Sequence, residues 1–148
     1  MNWREIDRVL SELNLSGTFI RDISQPEPST LYLSLYRPHN QENSLDHRRI
    51  IMLFSWSAGT SRLHRTTELF PKSRPPVPRF VTFLRAHIRG SRITSAFQFG
   101  TERIVRITFG TRERRRIMWV RLWSRASNCI VTDEHGMILE VLMRRPQR

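Results

Sequence analysis

The last third of the chain constrains the fold most. Between Ile93 and Leu142 five short apolar segments follow one another: 93–99, 103–109, 117–123, 128–132 and 137–142. The gaps between them are shorter than the roughly dozen residues that a parallel crossover needs, so neighbouring segments are predicted to pair antiparallel. Gly110-Thr111-Arg112-Glu113-Arg114 reads as one hairpin connection. Asp133-Glu134-His135-Gly136 reads as another, with Gly136 where a tight turn wants positive φ.

The upstream part mixes helix and strand signals. Trp3, Ile6, Leu10 and Leu13 form one apolar stripe at steps of three and four, which predicts a helix over 2–14. Asn2 is its expected cap and Glu5 the reciprocal partner. A first strand is expected from Thr18 to Ile23, then a turn at Gln25-Pro26-Glu27-Pro28-Ser29. Leu31 to Arg37 alternates, with Leu31, Leu33 and Leu35 on one face, and Ile50 to Trp56 reads as a central strand. Residues 38–48 are polar and read as a loop, and 57–78 hold no sustained pattern. Pro78 opens a second helix that Gly90 ends, with Phe80, Phe83, Leu84, His87 and Ile88 facing inward and Arg85 and Arg89 largely outside that stripe. Helix, strands, long loop, helix and meander together predict an α+β fold: an antiparallel two-layer or sandwich-like domain with one helix at its start and one mid-chain. Residues 1–143 are read as that domain. Residues 144–148 are read as a tail or the start of a linker, as in an excised first domain.

Charge is the strongest functional signal. The 148 residues hold 25 Lys and Arg against 13 Asp and Glu, a net charge of +12. Lys72 is the single lysine, leaving 24 arginines. Genomic bias explains arginine in place of lysine but not the positive excess, which attracts polyanions. Arginine also suits bidentate phosphate contact and stacking on bases. Nucleic acid comes ahead of membrane because no basic amphipathic helix with a broad apolar face is evident. No signal peptide and no membrane span are read, so the cytoplasm is the expected compartment.

Several chemistries find no support. Cys129 lies in an apolar run and reads as a buried hydrophobe, not a catalytic thiol. The five histidines (39, 47, 64, 87 and 135) fall in separate elements, so neither metal nor other cofactor is expected. His87 is read as a satisfied structural histidine. No Gly-rich phosphate loop is present. The positive clusters say more. Ser61-Arg62-Leu63-His64-Arg65-Thr66-Thr67 joins charge to hydroxyl donors, a set that suits phosphate oxygens and equally a solvated loop. The run Arg112-Arg114-Arg115-Arg116 is expected to be solvated and to add to the field. Arg103, Arg106, Arg121 and Arg125 lie in or beside apolar strands, where burial without a partner is costly. They are expected on an exposed sheet face or beside a carboxylate such as Glu102. Trp119 and Trp123 share a strand face with Arg121; such aromatics can stack bases, although tryptophans on a strand belong more often to a core.

These stretches resemble a known family. Pro75-Pro76-Val77-Pro78-Arg79-Phe80, the run Leu84 to Gly90, Thr101-Glu102-Arg103-Ile104-Val105 and Ser127-Asn128-Cys129-Ile130-Val131-Thr132-Asp133 follow its order and spacing. Ser61-Arg62-Leu63-His64 and Ile23-Ser24-Gln25-Pro26 fit as well. The chain is similar to the NFACT N-terminal domain, also called the fibronectin-binding protein A N-terminal domain, which heads the RqcH proteins and their eukaryotic relatives. The resemblance implies a fold related to the N-terminal domain of MutM-type glycosylases. It also implies an RNA-binding role in ribosome-associated quality control, with tRNA, the large ribosomal subunit and its rRNA, and peptidyl-tRNA as partners.

The family's Asp-Arg pair, tied to tRNA engagement and to tailing of the stalled chain, matches Glu102-Arg103, with a carboxylate one methylene longer. A second family acidic residue falls at or near Trp3, with Glu5 and Asp7 as the nearby substitutes. Both departures count against tailing by this chain. The expected nucleic-acid-binding residues are Arg62, His64, Arg65, Arg85, Arg89, Glu102, Arg103, Arg125 and Asn128. Glycosylase chemistry is rejected, because the chain opens Met1-Asn2-Trp3 and lacks the N-terminal proline nucleophile; no catalytic residue is expected. The alternative is a surface protein that binds fibronectin or fibrinogen, with a host extracellular matrix partner.

Overall fold

The structure, a computed structural model, describes residues 1–38, 49–57, 59–73, 75–110, 113–123 and 127–144. The sequence-predicted loop at 38–48 therefore lies almost wholly outside the described residues. Helix α1 spans Trp3–Leu13. Its start is the expected capping box: the Glu5 amide donates to Asn2 Oδ1 at 2.9 Å and the Asn2 amide to Glu5 Oε1 at 3.1 Å. Asn14 ends it in the left-handed region, at φ 46°.

Four strands form the first sheet, in the order β1-β2-β3-β4: Phe19–Glu27, Thr30–Tyr36, Arg49–Ser55 and Arg62–Thr66. Two readings of the sequence need correction here. Strand β1 runs on through Pro26, and the turn shrinks to Pro28-Ser29. Proline is tolerated because β1 is an edge strand and its register with β2 breaks between Ser24 and Glu27. The 57–78 stretch is also not structureless, since Arg62–Thr66 pairs with β3 as the other edge.

Helix α2 spans Arg79–His87, with Pro78 as its N-cap. Its fully buried stripe is Phe80, Val81, Leu84 and, just beyond the helix, Ile88. Phe83 and His87 sit half-buried on its flank, stacked on one another at 4.3 Å.

The meander forms the second sheet as expected, all antiparallel and in chain order: β5 Ile93–Gln98, β6 Ile104–Gly110, β7 Arg115–Arg121, β8 Asn128–Asp133 and β9 Ile138–Val141. Gly136 takes φ 85°, and Asp133 Oδ1 accepts from the amides of His135 and Met137 to close the last turn. Buried residues of both sheets share one hydrophobic cluster, with Leu31, Leu33 and Leu35 facing the set Val105, Ile107, Phe109, Met118 and Val120. The helices close the two open flanks. Helix α1 packs on β4 and β5, and α2 on β1 and β9. Gln98 fixes α1 by donating to the Trp3 carbonyl and to Asp7 Oδ1, each at 2.8 Å. At one end main chain joins the sheets directly: Ile93 N donates to Thr18 O at 2.7 Å and Gly90 N to Ile20 O at 2.8 Å. Cys129 is buried in the cluster, as expected, and burial pushes its thiol up.

Candidate nucleic-acid interface

The expected site residues divide between two flanks and one sheet end. Arg103 stands at the β5–β6 turn, immediately before β6. It adopts φ 57°, a left-handed conformation that non-glycine residues take at a cost of roughly 1–2 kcal/mol. The turn imposes this. Phe99 N donates to Ile104 O and Glu102 N to Phe99 O, both at 3.0 Å, while Leu122 N donates to the Arg103 carbonyl at 3.0 Å. The Arg103 backbone is thereby held against β7, and its side chain stays half-buried. It lines a cleft of about 390 Å³ with Thr101, Glu102 and Trp123. It also lines a smaller hollow of about 90 Å³ with Met1, Gly59, Ser61 and Leu122. Glu102 itself is exposed.

The strand β4 residues belong to the same neighbourhood. Ser61, which lines the Arg103 hollow, lies 3.3 Å from Ser127 Oγ, so the β3–β4 and β7–β8 connections meet there. On β4, Leu63 points into the core, and Arg62 and His64 share the opposite face by alternation. Arg62 Nε contacts His64 Nε2 at 3.3 Å, and Arg62 Nη1 donates to the Thr60 carbonyl at 3.3 Å. Arg65 is exposed and reaches the Arg49 carbonyl at 3.4 Å.

Arg85 and Arg89 lie on the α2 flank, away from Arg103. Arg85 is a brace between α2 and β1: its Nε meets Asp22 Oδ1 at 3.3 Å and its Nη2 donates to the Ile23 carbonyl at 3.1 Å. Arg89 is exposed. Asn128 begins β8 at the Arg103 end but is buried and fully employed. Its Oδ1 accepts from Cys129 N at 2.8 Å and Met143 N at 2.9 Å, and its Nδ2 donates to Met143 O at 2.9 Å. Its role in the structure is to tie β8 to the chain leaving β9. Arg125 lies outside the described residues. Glu5 and Asp7, the substitutes for the acidic residue at Trp3, are occupied by the capping box and by Gln98.

Among the described residues Arg85 is the only one of the expected arginines with an ion pair; Arg62, Arg65, Arg89 and Arg103 have none. Their charge is open to an external anion. A second basic feature lies at the opposite end of β6 and β7. There Arg92, Arg114 and Arg115 line a cavity of about 590 Å³ with Phe19, Gly90 and Gly110. His87 senses this end. Burial pushes its imidazole below the ordinary value, and the Arg116 and Arg114 guanidiniums push the same way. Its Nδ1 is buried with no hydrogen-bond partner among the described residues.

The outer face of the meander holds what the sequence left open. Arg106 and Arg121 lie on it, as expected for arginines on apolar strands, and no carboxylate pairs with either among the described residues. Trp119 also faces outward rather than into the core, because its neighbours Met118 and Val120 take the inner face. Period two flagged the shared face of Trp119 and Arg121, but alternation alone does not say which face is covered.

The profile of the family described as NFACT N-terminal and middle domains matches residues 5–148. Over 143 residues, 95% of this chain, the sequence is 29% identical to the ribosome quality control complex subunit NEMF of Mus musculus, and equally to that of Homo sapiens. The matched part is 12% of those relatives' length. The N-terminal domain of the fibronectin-binding protein PavA from Streptococcus pneumoniae superposes with a TM-score of 0.86 at 21% identity, covering 99% of this chain and 55% of that one. The N-terminal part of the fibronectin/fibrinogen-binding protein from Streptococcus suis gives 0.83 at 19% identity, covering 97% and 53%. These two likenesses establish a shared fold.

Proposed function

This chain belongs to the family of NFACT N-terminal and middle domains, and on that premise we propose that it is an RNA-engaging module of ribosome quality control. In this reading it holds tRNA, and with it peptidyl-tRNA, against an obstructed large ribosomal subunit in the cytoplasm. It binds and positions, and carries out no bond-making chemistry of its own. The observation that carries the reading is Arg103: a half-buried arginine on a left-handed backbone, in one cleft with the exposed Glu102 and with Trp123, and with no ion pair among the described residues. A cation fixed in this way is suited to a placed phosphate or base edge. Arg62, His64 and Arg65 on the neighbouring β4 edge, and Arg125, extend the phosphate contact. Arg85 and Arg89 add positive charge from the α2 flank. Tailing of the stalled chain is not part of the reading, since Glu5 and Asp7 hold α1 in place.

The test is crosslinking in cells followed by sequencing of the bound RNA. Enrichment of tRNA and large-subunit rRNA is expected; recovery of RNA merely in proportion to its abundance would sink the proposal. In vitro, tRNA affinity should fall steeply as salt rises, because phosphate contacts release counterions. The fibronectin-binding names of the structural neighbours suggest the competing reading. Fibronectin binding that persists at high salt, without tRNA enrichment, would replace the RNA reading with that one.

A further inference from the structure

The meander's outer face carries a row of side chains that neither the core nor Glu102-Arg103 uses. Phe97 opposes Arg106, Arg106 opposes Trp119, and Trp119 opposes Ile130, on four consecutive strands. The Arg106 guanidinium lies 5.4 Å from the Trp119 ring centroid and 6.0 Å from that of Phe97. Phe99 stacks on Trp119 at 5.7 Å with the rings 8° from parallel, and meets Phe97 edge-on at 5.1 Å. The Trp119 Nε1 donates to Thr132 Oγ1 at 3.0 Å, which fixes the indole in its plane. The rings and the guanidinium are thus assembled within the protein itself.

Yet it is not covered. Phe97 is 41% exposed, Phe99 36% and, at the same sheet end, Trp123 39%. Uncovered aromatic surface of this kind marks a contact site rather than ordinary surface. Charge selects the occupant. Arg106 and Arg121 are on this face, and no described residue of its strands places a carboxylate there: Glu140 opposes the inward Val131 and pairs with Arg79 at 3.1 Å, and Glu102 stands off the strands, at the β5–β6 turn beside Trp123. Ring faces beside unpaired guanidiniums suit a ligand that is flat, aromatic and anionic along its backbone.

We propose that the outer face of β5–β9 is a stacking platform for unpaired bases of single-stranded RNA, with Phe97 and Phe99 as the stacking rings and Arg106 as the cation that orders them. The platform rests on the RNA reading given above but is separate from Arg103, and a single set of titrations distinguishes them. The 148-residue chain is titrated with tRNA, with a labelled oligoadenylate, and with an abasic oligomer of equal length that keeps the phosphates and lacks the bases. The oligoadenylate should bind about tenfold tighter than the abasic strand, the order of one base–ring stack. Phe97→Leu, which keeps apolar bulk, should erase that difference, and Phe97→Tyr should retain it; the slope against salt should change in neither.

Equal affinity for the base-bearing and abasic strands overturns the platform. If tRNA still binds and Arg103→Glu still weakens it, the RNA reading survives that failure. If tRNA binds no more tightly than any polyanion and Arg103→Glu changes nothing, both fall. A dimer in sedimentation that Phe97→Ala dissociates would assign the face to a second copy of the chain instead. Tolerance of Phe97→Leu in oligoadenylate binding would likewise count against stacking.

Discussion

Strands β6 and β7 have arginine at both ends, and the two ends are built differently. At the Gly110 end, Arg92, Arg114 and Arg115 are exposed around an open cavity, and main-chain hydrogen bonds close the sandwich beneath them. At the Arg103 end, side chains make the closure: Ser61 meets Ser127, and Met1 and Leu122 line the gap. There Arg103 is half-buried on a constrained backbone. Exposed arginines on a hairpin supply a field that draws in a polyanion from a distance. Arg103, its carbonyl bonded to the Leu122 amide, is in the proposed reading the residue that fixes where the polyanion comes to rest. Equal charge therefore does not mean equal function.

The largest expected effect separates scaffold from site. At Gly110 a Cβ would collide with the Arg114 carbonyl oxygen, on a backbone with φ 99°. Gly110→Ala should cost about 3 kcal/mol in a urea melt, by steric clash and left-handed strain together. The fraction that remains folded should bind tRNA with unchanged affinity; a parallel loss of affinity would show that this end also recognises RNA. Next comes charge reversal. Arg103→Glu should weaken tRNA binding by about tenfold or more and lower the salt slope by about one, whereas Arg114→Glu should cost about threefold at most. Equal losses would reduce both ends to a diffuse polycation. A subtler variant is Arg103→Gly. Relief of the left-handed backbone should roughly balance the added freedom of the unfolded chain, leaving stability within about 0.5 kcal/mol while tRNA affinity falls. A large stability loss would mean that Arg103 is there for folding.

The smallest effect is a titration at the Gly110 end. Because the folded protein holds the His87 imidazole below its ordinary value, the unfolded chain takes up the proton first as pH falls. The stability linked to His87 is therefore complete above about pH 6.5, the ordinary histidine value, and is lost as pH drops below it. His87→Gln should flatten that part of the stability profile. Arg114→Gln should raise the His87 titration seen by NMR, and Arg116→Gln should raise it more. Bound tRNA should leave it in place. An upward movement on adding tRNA would put phosphate beside Arg114 and break the contrast between the two ends.

Local signals in the sequence were legible where local physics decides the outcome. The α1 capping box, the Gly136 turn and the order of the meander each rest on neighbouring residues, and each is found in the structure. Strand β4 was hidden because only Leu63 of its five residues enters the core, too little for a period to show. Pro26 concealed the end of β1, since a proline that breaks a central strand is tolerated at an irregular edge. Of the residues the sequence singled out for an interface, Arg62, Arg65 and Arg103 have no ion pair among the described residues. The sequence did not reveal that Asn128 and Arg85 are employed in holding the fold together, because their partners at Met143 and Asp22 lie far along the chain.

By itself, the sequence determined the surplus of positive charge, the antiparallel order of the last five strands and the helix that opens the chain, all of which follow from composition and short-range periodicity. Only the tertiary structure decided which arginines are free to act. No glycine or asparagine at position 103 announces a left-handed residue; the paired Leu122 amide and the β5–β6 turn impose it. Likewise Trp119 alternates equally well to either face, and the packing of Met118 and Val120 against the first sheet turns it outward beside Arg106. A side chain's function depends on what remains unpaired once the fold has closed, and that is a property of long-range contacts.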